Sequence, residues 1–109
     1  MLTAEALKRL NPQIFTCAGG PYPIALQEQC LRECTHFDAV GTGEGELTVP
    51  ETVARLEAGR DLDGVLGLAF RRGAGIVKNP PRPLIEDLDA LPFPSRDLLG
   101  EADRYLPPP

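Results

Sequence analysis

Positive charge is scarce in this 109-residue sequence, which carries 11 Lys and Arg residues against 16 Asp and Glu residues and has a net charge of −5. Proteins that bind nucleic acids use clustered Lys and Arg to neutralise phosphates, so this balance argues against a nucleic-acid partner. Long apolar runs are missing too, since none approaches the roughly 20 residues that cross a bilayer. No charged-then-apolar leader opens the sequence. We therefore expect a cytoplasmic protein with neither a nucleic-acid nor a membrane partner.

Cysteine is also sparse, and its three positions do not suggest the disulfide framework of a secreted protein. Cys30, Cys34 and His36 offer side chains of the types that bind zinc. However, Cys30 and Cys34 fall on the apolar face of a predicted helix, where a thiol is an ordinary core residue. We expect three unligated thiols, with Cys17 buried in a strand and the other two mostly buried.

Helices and strands alternate along the first half of the sequence. Short apolar runs bounded by Pro and Gly indicate buried strands, and apolar residues spaced three and four apart indicate helices. The sequence predicts a helix over 3–10, a strand over 14–18, a turn over 19–23, a helix over 24–34 and a strand over 37–41.

A further helix is predicted in the stretch "LTVPETVARLEAG". Thr48 is the candidate N-cap and Glu51 completes a T-x-x-E capping box, while Pro50 suits a first turn. Gly59 is the expected stop. The resulting order of strand, helix, strand and helix is typical of a parallel α/β sheet.

The pattern changes after Gly59. Two apolar runs flank a glycine-bearing turn within 64–79, which predicts a β-hairpin. The following stretch is rich in proline, so it cannot be an ordinary helix or a central strand. It reads as an extended strap that packs through Leu84, Ile85, Leu88, Leu91 and Phe93.

The sequence therefore predicts a partial doubly wound, Rossmann-like parallel sheet, followed by a β-hairpin and an extended proline-rich linker. The boundaries that we assign are 1–60 for the partial domain, 61–80 for the hairpin and 81–109 for the linker. An open α/β sheet normally has four or more strands. Because only two parallel strands are predicted, we expect the back half of such a domain, and a fragment, a misannotated start or an obligate partner chain would each fit. In the linker, Arg82 and Arg96 are candidates for ion pairs or domain docking.

Three ordered strings carry a resemblance to a known family: "CAGGPYPIAL", "FDAVGTGEGE" and "GLAFRRGAGIVKNPPRPLIEDLDALPFPSRDLL". Together they resemble the cobalamin-dependent radical S-adenosylmethionine enzymes of methyltransferase or cyclase type. From about Asn11, the sequence looks like the C-terminal half of their N-terminal cobalamin-binding domain plus the linker to the radical domain. The glycine pair alone is a weak signal, but no physical rule demands the linker string.

The resemblance implies cobalamin as the cofactor, with its nucleotide tail at the carboxyl ends of the strands, where open α/β sheets bind ligands. Glycines without a Cβ let such a tail lie against the backbone. Two carboxylates in the second glycine loop would repel a phosphate, but they can accept hydrogen bonds from ribose hydroxyls or amides of the cofactor. The implied cofactor-binding residues are Gly19, Gly20, Pro21, Gly43, Glu44, Gly45 and Glu46.

Two family motifs are absent from the sequence. It has no D-x-H-x-x-G string, the source of a cobalt-ligating histidine in some cobalamin-binding proteins. It also lacks C-x-x-x-C-x-x-C, because Phe37 stands where a third cysteine would follow Cys30 and Cys34. We therefore expect no catalytic residue here. The iron–sulfur cluster and S-adenosylmethionine would belong to a radical domain, in the same or a separate chain.

Other readings of the same residues remain open. The pair Gly19–Gly20 also fits a tight turn from strand to helix, and Glu44 and Glu46 also fit a solvated face near a helix N-terminus. The acidic stretch 85–89 also fits a metal site. A receiver-like or flavodoxin-like interaction module is the alternative function, and a small metal or thiol protein is a third.

Overall fold

The computed structural model describes residues 2–101 and Arg104; the rest of the predicted linker lies outside the described residues. The elements are α1 (Leu2–Leu10), β1 (Cys17–Ala18), α2 (Pro21–Leu26), α3 (Glu28–Glu33), β2 (Ala39–Gly41), α4 (Gly45–Glu57), β3 (Leu68–Arg72) and β4 (Gly75–Lys78). Two 3-10 turns follow, at Leu88–Ala90 and Arg96–Leu99. Among the described helices, none combines the length and the apolar character that crossing a membrane requires.

The four strands form one sheet in the order β1-β2-β3-β4. β1 and β2 are parallel, with Cys17 opposite Ala39, and this confirms the predicted parallel pair. The predicted hairpin is confirmed as well: β3 and β4 are antiparallel, and β3 also pairs antiparallel with β2. The hairpin thus extends the α/β sheet. β1 is shorter than predicted because the Asp38 carboxylate accepts a hydrogen bond from Thr16 N at 2.8 Å.

Both faces of the sheet are buried, as the apolar runs of the strands predict. Neighbouring residues of a strand point to opposite faces, and they accordingly belong to two separate clusters. One cluster contains Ala39, Leu62, Val65, Leu68 and Phe70. The cluster on the opposite face contains Cys30, Leu31, Val40 and Ala69, so α3 covers that face.

The predicted helix over 24–34 is two helices. Gln27 has a φ of 49° and separates α2 from α3. The predicted turn is also shorter than expected, since α2 begins at Pro21 with Gly20 as its N-cap. Proline is favoured at the first helical position because its φ suits a helix and no N–H partner is lost there. The predicted buried face is confirmed for Cys30, Leu31 and Cys34.

The predicted capping box of the last helix is wrong. α4 begins at Gly45, with Glu44 as its N-cap, so Thr48 already lies inside the helix. The Thr48 hydroxyl donates to Leu66 O at 2.9 Å. A tertiary partner thus replaces the expected local one. Pro50 lies within the helix, and the predicted end near Gly59 is confirmed.

Two basic side chains join segments that are distant in the sequence. Lys8 of α1 donates to the Asp38 carboxylate at 2.5 Å and to Ile14 O at 2.6 Å. Arg71 of β3 reaches the end of α3 and the loop after it, where its guanidinium donates to the carbonyls of Leu31, Cys34 and Phe37. Because carbonyls at a helix end lack partners within the helix, Arg71 supplies a donor to Leu31 O, and it adds a second donor to Cys34 O, which also accepts from Phe37 N at 3.3 Å.

The strap, defined here as residues 79–94, leaves the hairpin in an extended conformation. Leu84, Leu88 and Phe93 are 78%, 63% and 94% exposed. The expectation that these three side chains pack is therefore wrong within the described residues, although Ile85 and Leu91 are half-buried. The described residues cover one side of the strap and not the other, so some of its apolar side chains remain in solvent.

Candidate functional site

A crevice of about 420 Å³ opens at the carboxyl ends of β1 and β2. Parallel strands place these ends at the same edge of a sheet, where open α/β folds bind ligands. Five glycines line the crevice: Gly19, Gly20, Gly41, Gly43 and Gly45. The structure thus brings together the four glycines that the sequence predicted as site residues and adds Gly41.

α4 forms an apolar wall of the crevice. Val49, Val53 and Leu56 line it at spacings of four and three residues, and all three side chains are exposed in this chain. Phe15 and Leu68 contribute from the sheet side. Sequence reasoning missed this wall, although the spacing of the three α4 residues is the usual signal of an apolar helix face.

The glycines of the crevice differ in whether their backbone conformation requires glycine. A Cβ at Gly19, Gly20 or Gly43 would meet no atom within 4 Å. Gly20 nevertheless has a φ of 106°, which side chains of L residues rarely tolerate. Gly19 and Gly43 have neither a positive φ nor a neighbour that excludes a side chain. Their lack of a Cβ leaves free space at the crevice and serves no packing need.

The two predicted carboxylates do not line this crevice. Glu44 is exposed, and its Oε2 accepts a hydrogen bond from Ile85 N of the strap at 3.0 Å. Glu46 lines a second, more open groove of about 780 Å³, formed mainly by strap residues such as Leu91 and Phe93. Pro21 is exposed at the start of α2 and is not among the residues of the crevice.

Cys17 lies on the crevice and is exposed, so its predicted burial is wrong. The reason is that β1 is the outer strand of the described sheet. Although the residue is exposed, neighbouring protein atoms partly remove water from its thiol. This desolvation, together with the Asp38 charge, raises the pKa of Cys17, while a backbone hydrogen bond at Gly41 opposes the rise.

The other two cysteines are buried in the core, as predicted. Burial raises the pKa of the Cys30 thiol, and the neighbouring Cys34 adds to the effect. Within residues 2–101 and at Arg104, no three His, Cys, Asp or Glu side chains come close enough to hold one metal ion.

Known proteins resemble this chain in sequence and in fold. No protein-family model matches it. It is 44% identical over 102 residues to the uncharacterized methyltransferase PH0819 of Pyrococcus horikoshii, across 94% of this chain and 22% of that protein. It is 37% identical over 83 residues to the anaerobic magnesium-protoporphyrin IX monomethyl ester cyclase of Synechocystis sp., across 76% of this chain and 17% of the cyclase.

Among solved structures, the cobalamin-dependent S-adenosylmethionine radical enzyme OxsB with aqua-cobalamin bound superposes with a TM-score of 0.70. The superposition covers 95% of this chain and 14% of OxsB, at 21% identity. The resemblance to the cobalamin-dependent radical S-adenosylmethionine enzymes is thus confirmed at the level of the fold. The chain spans about a fifth of the length of the curated relatives it matches, and it matches a piece of a much larger enzyme.

Proposed function

We propose that this chain is the cobalamin-binding portion of a larger cytoplasmic radical S-adenosylmethionine enzyme of methyltransferase or cyclase type. One observation carries the proposal: five glycines and an apolar helix face line a single crevice at the carboxyl ends of two parallel strands. On this reading residues 1–60 are part of the cofactor domain, 61–80 are its hairpin and 81–109 lead toward the radical domain.

The geometry fits an elongated, partly apolar ligand. Gly19, Gly20, Gly43 and Gly45 leave the backbone accessible, so a nucleotide tail can lie against it. Val49 and Val53 on α4 offer an apolar surface that removes water from the tail. Among the other predicted residues, Pro21, Glu44 and Glu46 stand in this proposal on the rim of the site.

The role of the chain is to bind and orient. Bound cobalamin supplies a cobalt centre that can carry alkyl groups or exchange electrons. The crevice is lined mainly by glycines and apolar side chains, with Cys17, Thr48 and Thr52 as its polar lining residues, and this lining suits holding a ligand in place. In this proposal the iron–sulfur cluster and S-adenosylmethionine belong to the radical domain, in the same or a separate chain.

A titration of the cobalamin-free full-length protein with aquacobalamin, followed by ultraviolet–visible spectroscopy, tests the proposal. We expect saturable binding in the wild type. Gly43→Val adds a side chain at the crevice without backbone strain, and we expect affinity to fall about tenfold or more, the cost of overfilling a packed site.

Gly75→Val is the matched control, because Gly75 lies in β4 outside the crevice and a Cβ there meets no atom closer than 3.5 Å. We expect this control to bind as the wild type does. Unchanged affinity in folded Gly43→Val would contradict the proposed site. No binding by the full-length wild type would favour the alternative, a protein-interaction module.

A further inference from the structure

The strap is attached to the same turn that lines the crevice. Glu44 stands between Gly43 and Gly45, two crevice glycines, and its Oε2 accepts a hydrogen bond from Ile85 N at 3.0 Å. As the N-cap of α4 it is placed to bind the first free N–H groups of that helix, yet its side chain makes no capping hydrogen bond. The carboxylate is committed to the strap instead.

Arg82 provides a second attachment, on α4 itself. Its Nε donates to Thr48 Oγ1 at 2.9 Å and to Leu66 O at 3.1 Å, and its guanidinium also pairs with the Glu51 carboxylate. The Arg82 side chain is only 15% exposed. Thr48 lines the crevice, so this attachment reaches the crevice wall directly.

A glycine permits this close approach. Gly67 has a φ of +77°, and a Cβ there would stand 3.2 Å from Thr48 Oγ1 and 3.3 Å from Arg82 Cβ. Gly67 N donates to Pro80 O at 2.9 Å, and Gly67 O accepts from Thr42 N at 2.8 Å. The root of the strap is therefore joined through Gly67 to the loop that follows β2.

We propose that Glu44 is a positioning residue that, together with Arg82, holds the strap against the crevice wall. The inference rests on the proposed function for what the crevice binds, but the attachment itself does not depend on cobalamin. Its consequence is that the exposed apolar side chains Leu84 and Leu88 are presented at a fixed position relative to the crevice.

Hydrogen exchange of the full-length, cobalamin-free protein, read by mass spectrometry, tests this role. In a peptide spanning 79–86, three prolines leave only four backbone amides after the first residue, at positions 82, 84, 85 and 86. Of these four, only the Ile85 amide has an acceptor among the described residues. We expect Glu44→Ala to speed exchange of the one protected amide in this peptide about fivefold, the factor for one net hydrogen bond.

Two further variants separate this role from others. Glu44→Gln keeps an acceptor oxygen and should restore near-wild-type exchange, whereas a role through charge would leave it as fast as Glu44→Ala. Glu46→Ala removes the neighbouring carboxylate of the same turn, which accepts no hydrogen bond from Ile85, and should leave exchange at that amide unchanged.

Unchanged exchange in Glu44→Ala, or equal acceleration in the Gln and Ala variants, would overturn the inference. Because all these measurements are made without cobalamin, they can succeed even where the cobalamin titration fails. A failure here with normal cobalamin binding would instead leave the proposed function standing and remove only the positioning role of Glu44.

Discussion

Replacing Gly19 and Gly20, the two glycines after β1, one at a time by valine tests whether glycine is needed there for the backbone conformation or for cofactor binding. Gly20 has φ 106° and ψ −171°, a region that essentially only glycine occupies. We expect Gly20→Val to cost about 1–3 kcal/mol in the free energy of unfolding, because the valine must be held in that conformation. No steric clash adds to this, since a Cβ at Gly20 meets no atom within 4 Å.

Gly19→Val has the same change of side chain without the strain. Gly19 lacks a positive φ, and a Cβ there also meets no atom within 4 Å. We expect its stability to stay within about 0.5 kcal/mol of the wild type, as for an ordinary surface change. Chemical denaturation followed by circular dichroism measures both differences.

Cobalamin affinity of the full-length protein should fall in both variants, because both glycines line the crevice. The strained variant would then lose stability and affinity, and the unstrained one affinity alone. Wild-type stability of Gly20→Val would refute the strain argument. Wild-type affinity of a folded Gly19→Val would mean that the glycine pair is only a turn.

Three further predictions concern side chains outside the glycines. Arg71→Ala should lower the free energy of unfolding by about 2–4 kcal/mol in urea denaturation, because three carbonyls lose a charged donor; a loss below 0.5 kcal/mol, on the scale of a surface change, would contradict this. Cys17 should react with iodoacetamide more slowly at neutral pH than a free thiol, because its pKa is raised, and cobalamin should slow it further in the full-length protein; reaction at the free-thiol rate would show an unshifted thiol. The Tyr22 hydroxyl donates to Glu33 at 2.7 Å, which raises the pKa of Tyr22 to about 12 and lowers the pKa of Glu33. A carboxyl pKa that is lowered in the folded state stabilises the protein above the pKa of the unfolded state, and this stabilisation is lost as pH falls through the folded-state pKa. The raised pKa of Tyr22 stabilises the protein below the pKa of tyrosine in the unfolded state, and this contribution is lost only in strong alkali. The difference in Tm between wild type and Tyr22→Phe should therefore be larger at pH 7 than at pH 3, and equal differences would refute the assignment.

The sequence by itself determined most of the helices and strands, although the predicted helix over 24–34 is two helices. The parallel pair, the hairpin and the end of α4 follow from local signals, because apolar periodicity and Gly or Pro punctuation act over a few residues. Family-specific strings indicated the resemblance, which the relatives support. The grouping of Gly19, Gly20, Gly43 and Gly45 could also be predicted, since parallel strands place their carboxyl ends together.

Only the tertiary structure decided where individual side chains point. Thr48 and Glu51 carry the local pattern of a capping box, yet they bind Leu66 and Arg82, which lie 18 or more residues away in the sequence. The exposure of Cys17 depends on which strands flank β1. The carboxylate of Glu44 turns to the strap because the backbone N–H of Ile85 arrives there from 41 residues further along the chain. Local propensity selects among helix, strand and turn, but a polar side chain takes the partner that folding brings nearest, and that partner cannot be read from its neighbours in sequence.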